Sequence, residues 1–140
     1  MDCFFYGTLM DDGVLAAVIG RPASQVRRQE AFVEGYRRVY RAGASYPILV
    51  PMTDGRIEGI LASGLRPTDT DRLIAFEGED YDLVDVPVRA ARRGFTRAMM
   101  FMAKPSVAGS SKEWTFAEWR RRYRRAYLLR LRRRDRAVPF

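Results

Sequence analysis

The chain has 140 residues, 47% of them hydrophobic and 12% aromatic, which suffices for one core and is too short for two. It holds no histidine and one cysteine, Cys3, so Ser-His and Cys-His pairs, histidine-ligated zinc, an imidazole base and an intrachain disulfide are all excluded. The formal net charge of +8 is concentrated between Arg120 and Arg136, where ten arginines meet one aspartate; the other residues carry fifteen bases against sixteen acids and are close to neutral. Acid–base chemistry must then fall to carboxylates, tyrosine or lysine. A carboxylate can do that work near neutral pH when burial raises its affinity for protons. No run of about 18 apolar residues occurs and the first residues lack a signal-peptide pattern, so the expected location is cytoplasmic.

Cys3-Phe4-Phe5-Tyr6 predicts a short strand covered on both faces, with Cys3 as a small buried apolar residue, and Gly7-Thr8 breaks the run. Asp11 and Asp12 suit the positive end of a following helix, with Val14, Leu15, Val18 and Ile19 as its apolar face and Gly20 and Pro22 as its stop. Tyr6, Gly7, Thr8 and Leu9 thus form a strand-to-helix turn. Its unpaired backbone N–H groups can meet an anionic or carbonyl-bearing ligand, or the glycine can be plain turn chemistry. Gln25 to Glu30 reads as a polar connector, Ala31 to Tyr40 as a strand with Gly35 as a bulge or bend, and Ala42 to Ser45 as a small-residue loop. Tyr46-Pro47 leads into a strand from Ile48 to Pro51, Tyr46 either pointing its hydroxyl into a cleft or packing half-buried. Thr53-Asp54-Gly55-Arg56 predicts a hairpin turn, with Ile57 to Leu65 as the returning strand.

A short helix follows Pro67, with Thr68 or Asp69 as its cap, Asp71 in its first turn, Leu73, Ile74 and Phe76 as apolar contacts, and Gly78 as its end. Glu77 falls in the last turn, where the negative end of the helix dipole raises a carboxylate's proton affinity. The alternative is a glutamate in solvent beside Glu79 and Asp80, which are the fallback carboxylates. Tyr81 to Val88 and Phe95 to Met102 read as strands around the Arg92-Arg93-Gly94 turn, with Met99, Met100 and Met102 filling core gaps. Pro105 to Ser111 reads as a flexible connector. Phe116, Trp119, Tyr123, Tyr127 and Leu131 then recur at helical spacing, which predicts one helix of roughly four turns whose apolar stripe docks on the rest, with arginine on its other face. Arg132 to Arg136 is expected to be an unfolded tail. The resulting division is a barrel domain at 1–104, a linker at 105–112 and a basic C-terminal helix and tail at 113–140.

Three of these stretches, Tyr6-Gly7-Thr8-Leu9, Tyr46-Pro47 and Phe76-Glu77-Gly78-Glu79-Asp80-Tyr81, resemble in order and spacing the gamma-glutamylcyclotransferase-like family of small α+β proteins. Glu113-Trp114-Thr115-Phe116-Ala117-Glu118-Trp119 is similar to a segment of its plant defence-induced, AIG2-like branch. The resemblance implies an α+β fold: a small mixed β-barrel with short flanking helices and a C-terminal helix. It also implies that the turn at Tyr6, Gly7, Thr8 and Leu9 binds a gamma-glutamyl group and that Glu77 is the proton acceptor, with Tyr46, Pro47, Tyr81 and Phe101 lining the substrate pocket. Phe101 aligns where family members commonly carry a tyrosine, so either the register is off by one or one hydroxyl is missing, which leaves the substrate preference open. The implied reaction is release of 5-oxoproline from a small-molecule gamma-glutamyl amide by intramolecular aminolysis, with no cofactor and no metal. Two alternatives stand beside it: a related transferase acting on another gamma-linked or acyl substrate, and a non-catalytic binding module. In the second, the arginine-rich tail takes an anionic partner such as lipid, RNA or an acidic protein, although no nucleic-acid motif is present.

Overall fold

The computed structural model describes the backbone of residues 1–137 and the side chains of residues 1–133. Its strands are β1 (Cys3–Phe5), β2 (Arg27–Arg41), β3 (Pro47–Ser63), β4 (Tyr81–Ala90), β5 (Gly94–Ala103) and β6 (Gly109–Glu113); its α-helices are α1 (Asp12–Ile19), α2 (Pro67–Glu77), α3 (Phe116–Arg122) and α4 (Arg124–Ala137). The strands run in the order β3-β1-β5-β4-β2, and β2 pairs again with β3 to close a five-stranded barrel, with β6 added along β2. β1 lies antiparallel to β3 and parallel to β5, which makes the barrel mixed. The expected α+β barrel with flanking and C-terminal helices is the architecture found.

β1 explains why four apolar residues run together. Side chains alternate across a strand, and here both faces are covered. Phe4 and Tyr6 point into the barrel among Val33, Leu61, Val88 and Met100, while Cys3 and Phe5 face the helices among Leu15, Leu73, Trp114 and Trp119. Trp114 and Trp119 are both 0% exposed. Burial of large apolar side chains contributes roughly 1.5–3 kcal/mol each, so α3 and the segment before it are built into the same core as the first strand.

Three strand readings change. Gln25 to Glu30 is not a connector throughout: a single 3-10 turn at Ala23–Gln25 suffices, and β2 starts at Arg27, with Arg28, Gln29 and Glu30 opposite Ala62, Leu61 and Ile60. Asp54-Gly55 is not a hairpin either. Both halves of β3 pair with β2, Glu34 opposite Arg56 and Tyr36 opposite Pro51, so residues 52–55 form a bulge within one continuous strand. Asp54 takes the left-handed conformation (φ 62°), as the dipeptide promises, and a Cβ on Gly55 would lie 2.5 Å from the Tyr36 carbonyl oxygen. Within Pro105 to Ser111, the end is not a connector: β6 begins at Gly109 and pairs with β2, Val39 opposite Glu113 and Arg41 opposite Gly109.

The helices are also adjusted. Arg66, not Thr68 or Asp69, precedes α2, and Asp69 is its third residue; the Asp69 carboxylate accepts the Arg66 backbone N–H at 2.9 Å and pairs with Arg21 at 2.6 Å. Leu73 is buried and Phe76 half-buried as expected, whereas Ile74 is 47% exposed. The single long C-terminal helix breaks at Tyr123 (φ −122°, ψ −20°) into α3 and α4, and the backbone stays helical through Ala137, so the tail expected at 132–136 is helical in its backbone. The arginines are not all solvated: Arg124 bridges to Asp11 at 2.6 Å, and Arg120, Arg122 and Arg130 lie over the rings of Phe116, Tyr123 and Tyr127. Among the described residues, no helix is long and apolar enough to cross a membrane.

Candidate active site

A cleft of about 1090 Å³ opens where the end of β1, the loop before β3, the end of α2 and one side of α4 meet. Tyr6, Gly7, Thr8, Leu9, Tyr46, Pro47, Glu77, Tyr81 and Phe101 all line it. The fallback carboxylates are placed differently. Asp80 lines the cleft but is held by Arg41 at 2.9 Å, and Glu79 is exposed outside it.

The turn after β1 is shaped by its neighbours. A Cβ on Gly7 would lie 3.1 Å from Pro47 Cγ, so the glycine lets the loop before β3 close on the turn; its own φ of −126° needs no special freedom. Residues Thr8–Met10 then form one 3-10 turn. The N–H groups of Met10 and Asp11 return to the carbonyls of Gly7 and Thr8, while those of Gly7, Thr8 and Leu9 donate to no described carbonyl, as the first amides of a helical turn must. Asp11 caps α1 by accepting the Val14 N–H at 3.1 Å, which fixes the direction in which the chain leaves the turn. Arg38, which had no role in the sequence reading, anchors the same segment from below. Its Nη1 donates to the Tyr6 carbonyl at 2.8 Å and to the Glu58 carbonyl at 2.9 Å, and burial lowers its proton affinity.

Glu77 ends α2 at the cleft. It is half-buried, enclosed by protein on most sides with the remainder turned to the cleft. Desolvation pushes its carboxyl up to about 8, with no hydrogen bond or cation among the described residues to offset it. The tyrosines around it register its charge. Tyr6 and Tyr81 are raised above the ordinary phenol range, by burial first and the Glu77 charge second. Tyr6 therefore stays a proton donor, and its hydroxyl donates to the Phe101 carbonyl at 2.5 Å. That contact uses the main chain of residue 101. The Phe101 side chain is 4% exposed and belongs to the core, and it brings no hydroxyl to the cleft.

A hydroxyl arrives from elsewhere. Tyr127 of α4 sits at the cleft with its oxygen 3.3 Å from Thr8 Oγ1. Burial pushes its phenol up to about 12; the Thr8 hydrogen bond opposes this, and the Glu77 charge adds to it. Sequence reasoning assigned Tyr127 to the apolar stripe, and its ring does pack edge-on against Trp119 at 5.4 Å between centroids. Periodicity could place the ring, but it carried no signal for the hydroxyl. Among the described residues, no three His, Cys, Asp or Glu side chains gather as a metal site.

This arrangement is a bare, proton-retaining carboxyl facing free backbone amides across a cleft ringed by phenols, and it sits in a recognised sequence context. Residues 3–121 match the family described as gamma-glutamyl cyclotransferase, AIG2-like. The chain belongs to that family. It is similar to AIG2-like protein A of Arabidopsis thaliana, 27% identical over 130 residues, covering 89% of this chain and 75% of that protein. The fold is similar to that of an Arabidopsis thaliana protein solved in solution, with a TM-score of 0.67 and 23% identity, covering 99% of this chain and 84% of that one. It is also similar to that of a protein titled gamma-glutamyl cyclotransferase, with a TM-score of 0.62 and 9% identity, covering 77% of this chain and 68% of that one.

Proposed function

We propose that this AIG2-like family member is a gamma-glutamylcyclotransferase, releasing 5-oxoproline from a small gamma-glutamyl amide, with Glu77 as general base and then general acid. The observation that carries the reading is the Glu77 carboxyl lining the same cleft as the turn at Gly7, Thr8 and Leu9, pushed up to about 8 by desolvation with no partner among the described residues. A peptide α-amine has a proton affinity near 8, and the substrate's α-amine, beside its own carboxylate, lies somewhat above that, so transfer from it to Glu77 is mildly uphill and within reach of general acid–base catalysis.

Glu77 takes a proton from the substrate's α-ammonium group. The freed amine attacks its own gamma-carbonyl carbon, a C–N bond forms, and a five-membered ring closes around a tetrahedral oxyanion. The N–H groups of Gly7, Thr8 and Leu9, which have no partner among the described residues, supply donors for that oxyanion or for the substrate's carboxylate. The bond to the leaving nitrogen then breaks as Glu77 returns its proton to it, and the ring nitrogen's second hydrogen passes as a proton to the departing amine, giving 5-oxoproline and an ammonium product. Because one molecule carries both nucleophile and electrophile, the cleft needs only to hold it folded on itself. Tyr46, Pro47 and Tyr81 form the walls that do so, with the Phe101 backbone carbonyl fixing Tyr6 beneath.

The test is detection of 5-oxoproline after incubating the purified protein with gamma-glutamyl amines and dipeptides. The reactive complex holds one proton shared between Glu77, near 8, and a substrate ammonium somewhat above it, so kcat/KM should be bell-shaped with its maximum a little above pH 8. No 5-oxoproline from any of them contradicts the reading.

A further inference from the structure

Arg38 on β2 is a half-buried cation without a counter-ion. It forms no ion pair among the described residues, and Glu113 and Glu58 act on it only from beyond ion-pair distance. Its buried Nε has no hydrogen-bond partner among them either. Taking a charge out of water costs free energy that a partner ordinarily offsets. What Arg38 holds are two carbonyls. Just past the last β1–β3 pair, Phe5 opposite Ile60, its Nη1 donates to the Tyr6 carbonyl at 2.8 Å and to the Glu58 carbonyl at 2.9 Å. The guanidinium also lies 5.3 Å from the centroid of the fully buried Trp114 ring, which fixes its place beneath the turn.

The Tyr6 carbonyl and the Gly7 N–H are the two ends of one peptide unit. The unit is trans, so its oxygen points toward Arg38 and its N–H points away. That N–H has no partner among the described residues, and Gly7 lines the cleft, whereas Arg38 is not among the residues that line it. Drawing electron density onto the carbonyl oxygen leaves the N–H more positive, as hydrogen bonds in a chain strengthen one another. A charge only partly exposed to water is also weakly screened at this range. We propose that Arg38 is a positioning residue for the reaction: its charge, relayed through the Tyr6–Gly7 peptide, strengthens the Gly7 N–H as a donor to the anion held at the turn. That anion is the counter-ion which Arg38 lacks. The inference rests on the cyclotransferase reading and adds to it a source of charge outside the cleft, supplied by β2.

The experiment compares Arg38→Lys with Arg38→Met, side chains of similar length that differ in charge. One nitrogen, Nη1, makes both carbonyl contacts, so a lysine Nζ can replace it. The substrate is the gamma-glutamyl amine or dipeptide that the wild-type protein turns over fastest. Arg38→Lys should keep kcat/KM within about threefold of wild type. Arg38→Met should lose about tenfold, less than the roughly 10²–10³-fold of deleting one oxyanion donor, because the N–H is weakened and not removed. Two readouts separate this from a loosened turn. The Gly7 amide proton signal should move to lower frequency in Arg38→Met and return in Arg38→Lys. The pH at which kcat/KM peaks should be the same in all three proteins, because desolvation and not Arg38 sets the proton affinity of Glu77. Should urea melts show that Arg38→Met does not fold, Arg38→Gln takes its place as the neutral variant, with a loss of at least about threefold. Equal kcat/KM in the charged and neutral variants, or a peak that shifts along with the loss, overturns the inference and leaves the cyclotransferase reading standing. No 5-oxoproline from the wild-type protein with any gamma-glutamyl amine or dipeptide overturns both.

Discussion

The two ends of α2 each carry an acid, and the protein treats them in opposite ways. Asp69, in the first turn, is 2% exposed; it takes two donors from the Arg21 guanidinium and one from the Arg66 backbone, and the Arg21 hydrogen bond is the main cause that holds its carboxyl below the usual range. Glu77, in the last turn, has no donor among the described residues, and desolvation raises it to about 8. Donors make a buried carboxylate structural, and their absence in an open cleft leaves one ready to exchange protons. The stability consequences run in opposite directions with pH. Asp69 stabilises the fold above its unfolded-state value, and that contribution is lost as pH falls through its depressed native value. Glu77 is neutral toward folding below about 4.5 and costs stability progressively as pH rises from there to about 8.

The contrast breaks most decisively at Glu77. Glu77→Gln keeps the shape and removes the base, so kcat/KM for 5-oxoproline release should fall by about 10²–10⁴-fold; a variant within threefold of wild type would leave the two acids functionally alike. Asp69→Asn should do the reverse. It strips the Arg21 pair, in which the Asp69 side chain is 3% exposed, costing about 1–2 kcal/mol in urea melts at pH 7, while the folded fraction keeps its turnover. A third measurement sharpens the pH argument. The rise of Glu77 from 4.5 to about 8 sets a ceiling of roughly 5 kcal/mol on its burial cost, and water in the cleft lowers it. Glu77→Gln should therefore be about 2 kcal/mol more stable than wild type at pH 9 and equal to it at pH 4. The smallest effect belongs to Tyr127→Phe, which deletes one hydroxyl contact with Thr8 and should raise KM about three- to tenfold without lowering stability appreciably.

What the sequence made legible depends on whether the signal is local. β1 and α1 could be read because an unbroken apolar run and a capping aspartate are complete within a few residues. The bulge in β3 could not. Asp54-Gly55 announces a left-handed backbone in either case, and only the pairing of both halves of β3 with β2, set by residues up to 36 positions away at Arg27 and Ser63, separates a bulge from a hairpin. The same holds for the site. The cleft position of Glu77 could be expected from its motif and its place before Gly78. Tyr127 and Arg38 could not be singled out, because one is a member of an amphipathic stripe and the other an arginine in a strand until the fold brings them to Thr8 and Tyr6. Asp69 was visible as a helix-start residue, but its partner Arg21 lies 48 positions earlier and is joined to it only by the packing of α1 against α2.

The most direct test of the central claim is an NMR titration of the Glu77 side-chain carboxyl in the folded protein, assigned by comparison with Glu77→Gln. A single transition near pH 8 is the expected result, with the Tyr6 and Tyr81 ring signals responding to the same step. A transition at the ordinary glutamate position near 4.5 would show a solvated acid, and the proton transfer assigned to it would have no basis.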